Sequence, residues 1–205
     1  MSTKETLVNY LVQSGVIESV NVRDAFLKAD RKYFVPLKYK EETYTDHPLP
    51  IGYAQTISQP STVAFMIELL KPKEGHSILD IGSGSGWTTA ILSFCLRSKG
   101  KVIGLERIPE LVNIGQNNFK KLKIINAQIL NASKHLGVPG KTFDRILVSA
   151  SANSFPEELL KQLKSNGRLV IPVKNSIMLI KKDNDGKISK TNYPGFVFVP
   201  LIKDE

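Results

Sequence analysis

One cysteine, one tryptophan and three histidines are all that 205 residues carry of the side chains most often tied to redox, stacking or metal chemistry. Cys95 has no partner within the chain, which excludes an intrachain disulfide framework and leads us to expect a reducing cytoplasm. His47, His76 and His135 lie far apart without metal-ligand spacing, so no metal is expected. No apolar run approaches the roughly 20 residues needed to cross a bilayer. Residues 1–10 lack the basic-then-apolar layout of a secretory signal, and no membrane partner is expected. There is no repeat, low-complexity tract or long linker. Acidic residues are in deficit, 19 against 28 lysines and arginines, for a net charge of +9. Such a balance raises the prior for a nucleic-acid partner. The lysines are dispersed, however, in clusters no longer than Lys120, Lys121 and Lys123, or Lys181 and Lys182. Aromatics do not alternate with them as on a platform for single strands. A solvated basic surface is the favoured reading, with no stable nucleic-acid partner.

What remains is ordinary globular composition, 41% hydrophobic and 23% charged, in a chain long enough for one well-cored domain over 1–205. Residues 1–76 read as a helical region. Val22, Ala25, Phe26 and Ala29 fall at i, i+3, i+4 and i+7 behind a candidate cap, Asn21. Pro36, Pro48 and Pro50 break the chain. A second stripe, Val63, Met66, Ile67 and Leu70, follows Pro60, which suits a first helical turn. From residue 77 strands alternate with helices. Strands are expected over 78–81, 101–106, 124–130, 143–149 and 168–173, and helices over 87–96, 109–121 and 156–163. This order predicts an α/β fold, a doubly wound, Rossmann-like and mainly parallel sheet with helices on both faces. Residues 177–182 and 188 onward flank Asp183-Asn184-Asp185-Gly186, a hairpin signal. Residues 196–201 read as a last, antiparallel strand.

The strongest local signal is Asp80-Ile81-Gly82-Ser83-Gly84-Ser85-Gly86, between a strand and a helix. Glycines there let the backbone turn sharply and approach a ligand without a Cβ in the way. A dinucleotide fingerprint needs a small residue where Trp87 stands, so a nicotinamide or flavin dinucleotide is disfavoured. The pattern resembles motif I of the S-adenosyl-L-methionine-dependent methyltransferases, with Asp80, Gly82, Ser83, Gly84 and Gly86 as cofactor-binding candidates. Glu106, closing the second strand, can accept hydrogen bonds from both ribose hydroxyls. The plainer reading makes it a strand cap or a partner of Arg107. Asn131, closing the third, suits an adenine edge or the cap of a following short helix.

Longer motifs are more specific. Ala29-Asp30-Arg31-Lys32-Tyr33-Phe34-Val35-Pro36, Pro48-Leu49-Pro50-Ile51-Gly52-Tyr53-Ala54-Gln55-Thr56-Ile57-Ser58-Gln59-Pro60, Gly167-Arg168-Leu169-Val170-Ile171-Pro172-Val173 and Phe196-Val197-Phe198-Val199-Pro200-Leu201 resemble, in order, the protein-L-isoaspartate O-methyltransferase family. The resemblance implies a methyltransferase sheet with N-terminal helices and an altered C-terminal strand arrangement. It implies methyl transfer from S-adenosyl-L-methionine, giving S-adenosyl-L-homocysteine, to the α-carboxylate of L-isoaspartyl residues in damaged proteins and peptides. The ester then closes to a succinimide that hydrolyses partly to aspartate. The family's T-I-S motif makes Ser58 the catalytic candidate, donating to the substrate carboxylate, with Gln55, Thr56 and Ile57 lining the substrate cleft. A covalent serine intermediate is not expected, because His and Asp partners are not in evidence. The competing role for Ser58 is helix initiation beside Pro60. A monomer is expected.

The chain departs from the family where Ala54 replaces a common glycine, where Asn131 replaces an acidic residue, and where Ala150-Ser151-Ala152-Asn153 lacks a final proline. Two rivals stand: an RNA, DNA or other small-acceptor methyltransferase, and a cofactor binder without chemistry. Against the first, there is no Asn or Asp followed by Pro-Pro and an aromatic, and Cys95 reads as a core residue.

Overall fold

Along the strands after residue 76, alternate side chains enter two separate cores, as the two-residue period of a strand covered on both faces requires. Ile78, Leu147, Val170, Ile177 and Leu179 point to one core, whereas Leu79, Ile81, Ile146, Val148, Leu169, Ile171 and Ile180 point to the other. In the computed structural model residues 3–202 are described. Among the described residues the central sheet has seven strands, in the order β5-β4-β3-β6-β7-β8-β9. They are β3 (Ser77–Ile81), β4 (Lys101–Glu106), β5 (Ala127–Asn131), β6 (Phe143–Val148), β7 (Leu163–Val173), β8 (Ser176–Lys182) and β9 (Ile188–Pro194). β3 to β7 run parallel, and β8 and β9 return antiparallel as a meander at the edge. The chain builds outward from β3 through β4 to β5, then resumes at β6 on the opposite side. The carboxyl end of β3 is therefore the switch point of a doubly wound sheet, where a crevice forms.

The first core is covered by α1 (Lys4–Gln13), α2 (Val20–Lys28), α3 (Pro60–Leu70), α4 (Trp87–Cys95) and α5 (Pro109–Lys121), with a separate hairpin of β1 (Leu49–Gly52) and β2 (Gln55–Ile57). α1 has no counterpart in the sequence reading. Thr3 and Thr6 cap it reciprocally, and Leu7, Val8 and Leu11 are buried. The N-cap position of α2 is Ser19, whose hydroxyl donates to Glu68 and not to the helix; Asn21 lies inside the helix and its amide donates to the Cys95 carbonyl at 3.1 Å. α3 begins at Pro60 as expected and buries Val63, Met66, Ile67 and Leu70. α5 carries Glu110 in its first turn and Lys120 and Lys121 in its last, complementing the helix dipole.

Two expected elements differ. Residues 156–163 do not form an α-helix: a 3-10 turn, Glu157–Gln162, fits between Pro156 and Leu163, where β7 already starts. The second core is closed by this turn and by Ala132, Leu136 and Val138. Residues 196–201 form no strand. Phe196 stacks on Phe65 at 5.4 Å, and the segment crosses the carboxyl end of the sheet, held by a single bridge between Ser151 and Pro200. The hairpin at 183–186 is present, linking β8 to β9. Among the described residues no helix is long and apolar enough to cross a membrane.

Candidate active site

The loop after β3 is built almost entirely by backbone. Gly82 and Ser83 donate their N–H groups to the Leu105 carbonyl at 2.8 and 3.1 Å, tying the loop to β4. Gly82, Gly84 and Gly86 have φ of 84°, 54° and 93°, the left-handed region that glycine enters without penalty. Glu106, 6% exposed, accepts the Gly84 N–H at 2.9 Å on one oxygen and the Ile108 N–H at 3.0 Å on the other. Each oxygen keeps a further lone pair. Gly86 differs from its neighbours: an added Cβ would meet Ile129 at 2.9 Å and Phe119 at 3.0 Å, so it serves close helix–strand packing rather than ligand approach.

Asp80 is fully buried beneath this loop and does not line the cleft. Its Oδ2 accepts the Thr89 hydroxyl at 2.5 Å. Burial raises its carboxyl to about 7, with the Thr89 bond opposing and Glu106 reinforcing the shift. Asp80 Oδ1 and Ser85 Oγ are buried without a partner among the described residues, polar capacity that a ligand or ordered water would complete.

Across the cleft stands the β1–β2 hairpin. Tyr53 and Ala54, both with φ of 55°, form its two-residue turn, a twist that matches hairpin strands. The strand β2 ends at Ile57, whose side chain joins the core, and Ser58 follows, half-buried and lining the cleft. The Ser58 hydroxyl makes no hydrogen bond among the described residues. It does not initiate α3 either. The cap position is Gln59, and Asp46 supplies the carboxylate that accepts the Ser61 N–H at 2.8 Å.

Side chains hold this wall. Arg31, 2% exposed, donates through Nη1 to the carbonyls of Thr43 (2.9 Å) and Thr45 (3.1 Å). Through Nη2 it donates to those of His47 (3.0 Å) and Ser58 (3.1 Å). Its guanidinium carbon lies 5.1 Å from the centre of the Trp87 ring, and Trp87 Nε1 donates to the Ala29 carbonyl at 2.8 Å. Burial lowers the Arg31 guanidinium to about 10, with Asp46 opposing. The neighbouring Asp30 accepts the Tyr44 hydroxyl at 2.8 Å.

These two walls enclose a cleft of about 1040 Å³, its open mouth included. Gln55, Thr56, Ile57 and Ser58 line it opposite Gly82, Ser83, Gly84 and Glu106. Ser149, Ala150 and the segment from Val199 to Ile202 supply the remaining wall on the far side. Asn131 is not brought in. It is exposed at the end of β5 and outside the lining, which Ala132 and Ser133 provide, and no helix follows for it to cap. The wall at 199–202 was missed as a site element, although its motif was visible in the sequence. So were Asp46 and the clamp made by Arg31.

A sequence profile described as Protein-L-isoaspartate(D-aspartate) O-methyltransferase (PCMT) matches residues 2–205. The chain belongs to this family. A protein-L-isoaspartate O-methyltransferase of Methanopyrus kandleri is 43% identical over 210 residues, covering 98% of this chain and 92% of that protein. One from Pyrococcus abyssi is 40% identical, covering 95% and 92%. In three dimensions the chain resembles a candidate protein-L-isoaspartate O-methyltransferase of Plasmodium falciparum crystallised with S-adenosyl-L-homocysteine. The TM-score is 0.88 at 30% identity, with both chains covered completely. Within the isoaspartate O-methyltransferase family, the chain thus keeps the whole length of the fold, including the N-terminal wall that carries Ser58.

Proposed function

We propose that this chain transfers a methyl group from S-adenosyl-L-methionine to the α-carboxylate of L-isoaspartyl residues in damaged proteins and peptides, as a step in protein repair. The observation that carries this reading is the single cleft in which the Ser58 hydroxyl, without a partner among the described residues, faces a glycine loop backed by Glu106. The residues present fit the cofactor. Glu106 has acceptor capacity left for two ribose hydroxyls, and the left-handed Gly82 and Gly84 turn the loop so that both line the cleft. When bound, S-adenosyl-L-methionine supplies an electrophilic methyl group on a positively charged sulfur. The protein's task is alignment. A substrate carboxylate, which ordinarily titrates near about 4, is already ionised at neutral pH, so no general base is required. Ser58 donates a hydrogen bond to one carboxylate oxygen and leaves the other free to attack. Gln55, Thr56 and Ile57 shape the peptide side of the cleft. Fixing the reacting atoms in this way removes about 7–11 kcal/mol from a barrier in favourable cases. The protein acts as a monomer in the cytoplasm on isoaspartyl proteins and without a nucleic-acid partner.

The test is transfer of label from S-adenosyl-L-methionine to matched peptides containing L-isoaspartate or L-aspartate, with total RNA as a third acceptor. Base-labile label on the isoaspartyl peptide alone is the expected result. Label on RNA, or on no acceptor despite cofactor binding, rejects the proposed substrate.

A further inference from the structure

The two walls of the cleft come from segments far apart in the chain, and one side chain touches both. Arg31 accounts for four backbone carbonyls, of Thr43, Thr45, His47 and Ser58, and lies against Trp87, which opens the helix after the glycine loop. The Trp87 indole in turn donates to Ala29, two residues before Arg31. The loop wrapped around the guanidinium carries Asp46, which accepts the Ser61 N–H at the start of α3. Ser58 is thus fixed directly through its carbonyl and indirectly through the helix it precedes. A guanidinium presents donors in a rigid fork, so it sets directions as well as distances; an ammonium cannot reproduce that pattern. Its Nε remains buried without a partner among the described residues, a cost of holding the fork in this place that the four carbonyl bonds offset.

We propose that Arg31 is a positioning residue for methyl transfer, holding Ser58 at its working place opposite the glycine loop through the carbonyls of residues 43–47 and of Ser58 itself. The proposal rests on the role given to Ser58 above. Arg145 provides the control. It is 7% exposed and likewise donates to three carbonyls, of Lys71, Asp144 and Asn166, but lies on β6 away from the cleft.

Arg31→Lys and Arg145→Lys are to be compared with the unaltered protein in melting temperature, S-adenosyl-L-homocysteine affinity, turnover of an isoaspartyl peptide and hydrogen exchange over residues 55–61. Arg31→Lys is expected to lower kcat about 10- to 100-fold, the scale of a small misplacement of reacting groups, with cofactor affinity within about two-fold. Exchange at 55–61 rises in this variant alone. Arg145→Lys loses comparable melting temperature and keeps kcat. Unchanged kcat in Arg31→Lys, or equal losses in both variants, overturns the proposal. Exchange at 55–61 is read without turnover: an unaltered protein inactive on isoaspartyl peptide sinks the proposed function, while unchanged exchange in Arg31→Lys sinks the positioning role. If Arg31→Lys does not fold, Asp46→Ala cuts the same loop from α3 with the guanidinium in place. It must then raise exchange at 55–61, and unchanged exchange overturns the proposal.

Discussion

The glycine loop and the β1–β2 hairpin face each other across one cleft but are held by opposite means. The loop hangs from the parallel sheet by main-chain bonds to Leu105 and by Glu106, all within the β3–β4 unit. The hairpin pairs only with itself, and its end at Ser58 is held by side chains, Arg31 and Asp46, reaching from other segments. The first arrangement makes a rigid floor from local sequence. The second makes a wall whose place depends on side-chain bonds from Arg31 and Asp46 rather than on the sheet ladder. On the proposed function the loop serves the cofactor and the hairpin the acceptor, and the two are then expected to fail separately.

The sharpest break between them is at Ser58. Ser58→Ala removes a hydroxyl that has no partner among the described residues, so stability is expected to stay within about 0.5 kcal/mol, as for substitutions outside buried networks. Turnover of isoaspartyl peptide should fall about 100-fold or more, the scale seen when one donor to a reacting oxyanion is removed. Calorimetry with S-adenosyl-L-homocysteine should give unchanged affinity. A loss of affinity equal to the loss of turnover would erase the division between the two walls.

Asp80 tests the floor. Its carboxyl stands at about 7 in the fold against 3.8 ordinarily, because burial disfavours the charge. The folded state therefore holds a proton that the unfolded state has released between those values. This group's contribution to stability is complete below about 4, declines as pH rises through 7, and is lost above that. Urea unfolding of the unaltered protein and Asp80→Asn from pH 4.5 to 8 should diverge by up to a few kcal/mol, the asparagine variant gaining relative stability toward high pH. Curves that stay parallel would mean that Asp80 is ionised beneath the loop throughout.

The same division explains what could be read from the sequence. Strand β4 and helix α5 match their expected limits, 101–106 and 109–121, because period-two and period-3.6 patterns and an N-terminal proline are local signals. The place of Glu106, at the end of β4 and in the cleft lining, was legible for the same reason. The place of Ser58 in the cleft was legible through family resemblance, while the means of holding it was not, since Arg31 binds carbonyls up to 27 positions away and no periodicity records such bonds. Asn131 failed because the chain enters the cleft one residue later, at Ala132. Residues 196–201 failed because Val197, Phe198 and Val199 have strand composition, yet tertiary packing of Phe196 on Phe65 and a single bridge at Pro200 decide their path. Helix α1 was missed because its cap uses Thr6 in place of the expected Glu or Gln.

The smallest effect lies at the hairpin turn, where this chain carries Ala54. Its φ of 55° places a Cβ in the left-handed region, at a cost of about 1–2 kcal/mol. Glycine would relieve that strain but would also loosen the unfolded chain by about 0.4–1 kcal/mol. The net gain expected for Ala54→Gly is about 0.5–1 kcal/mol, or roughly 1–4 °C in melting temperature for a domain of this size. Ala54 is exposed, and the tie to Ser58 runs through Arg31 rather than through the turn. The kcat for isoaspartyl peptide should therefore remain within about two-fold, as expected when the reacting groups keep their alignment. A large change in kcat with no change in cofactor affinity would show that the turn, and not the arginine clamp alone, sets the position of the acceptor wall.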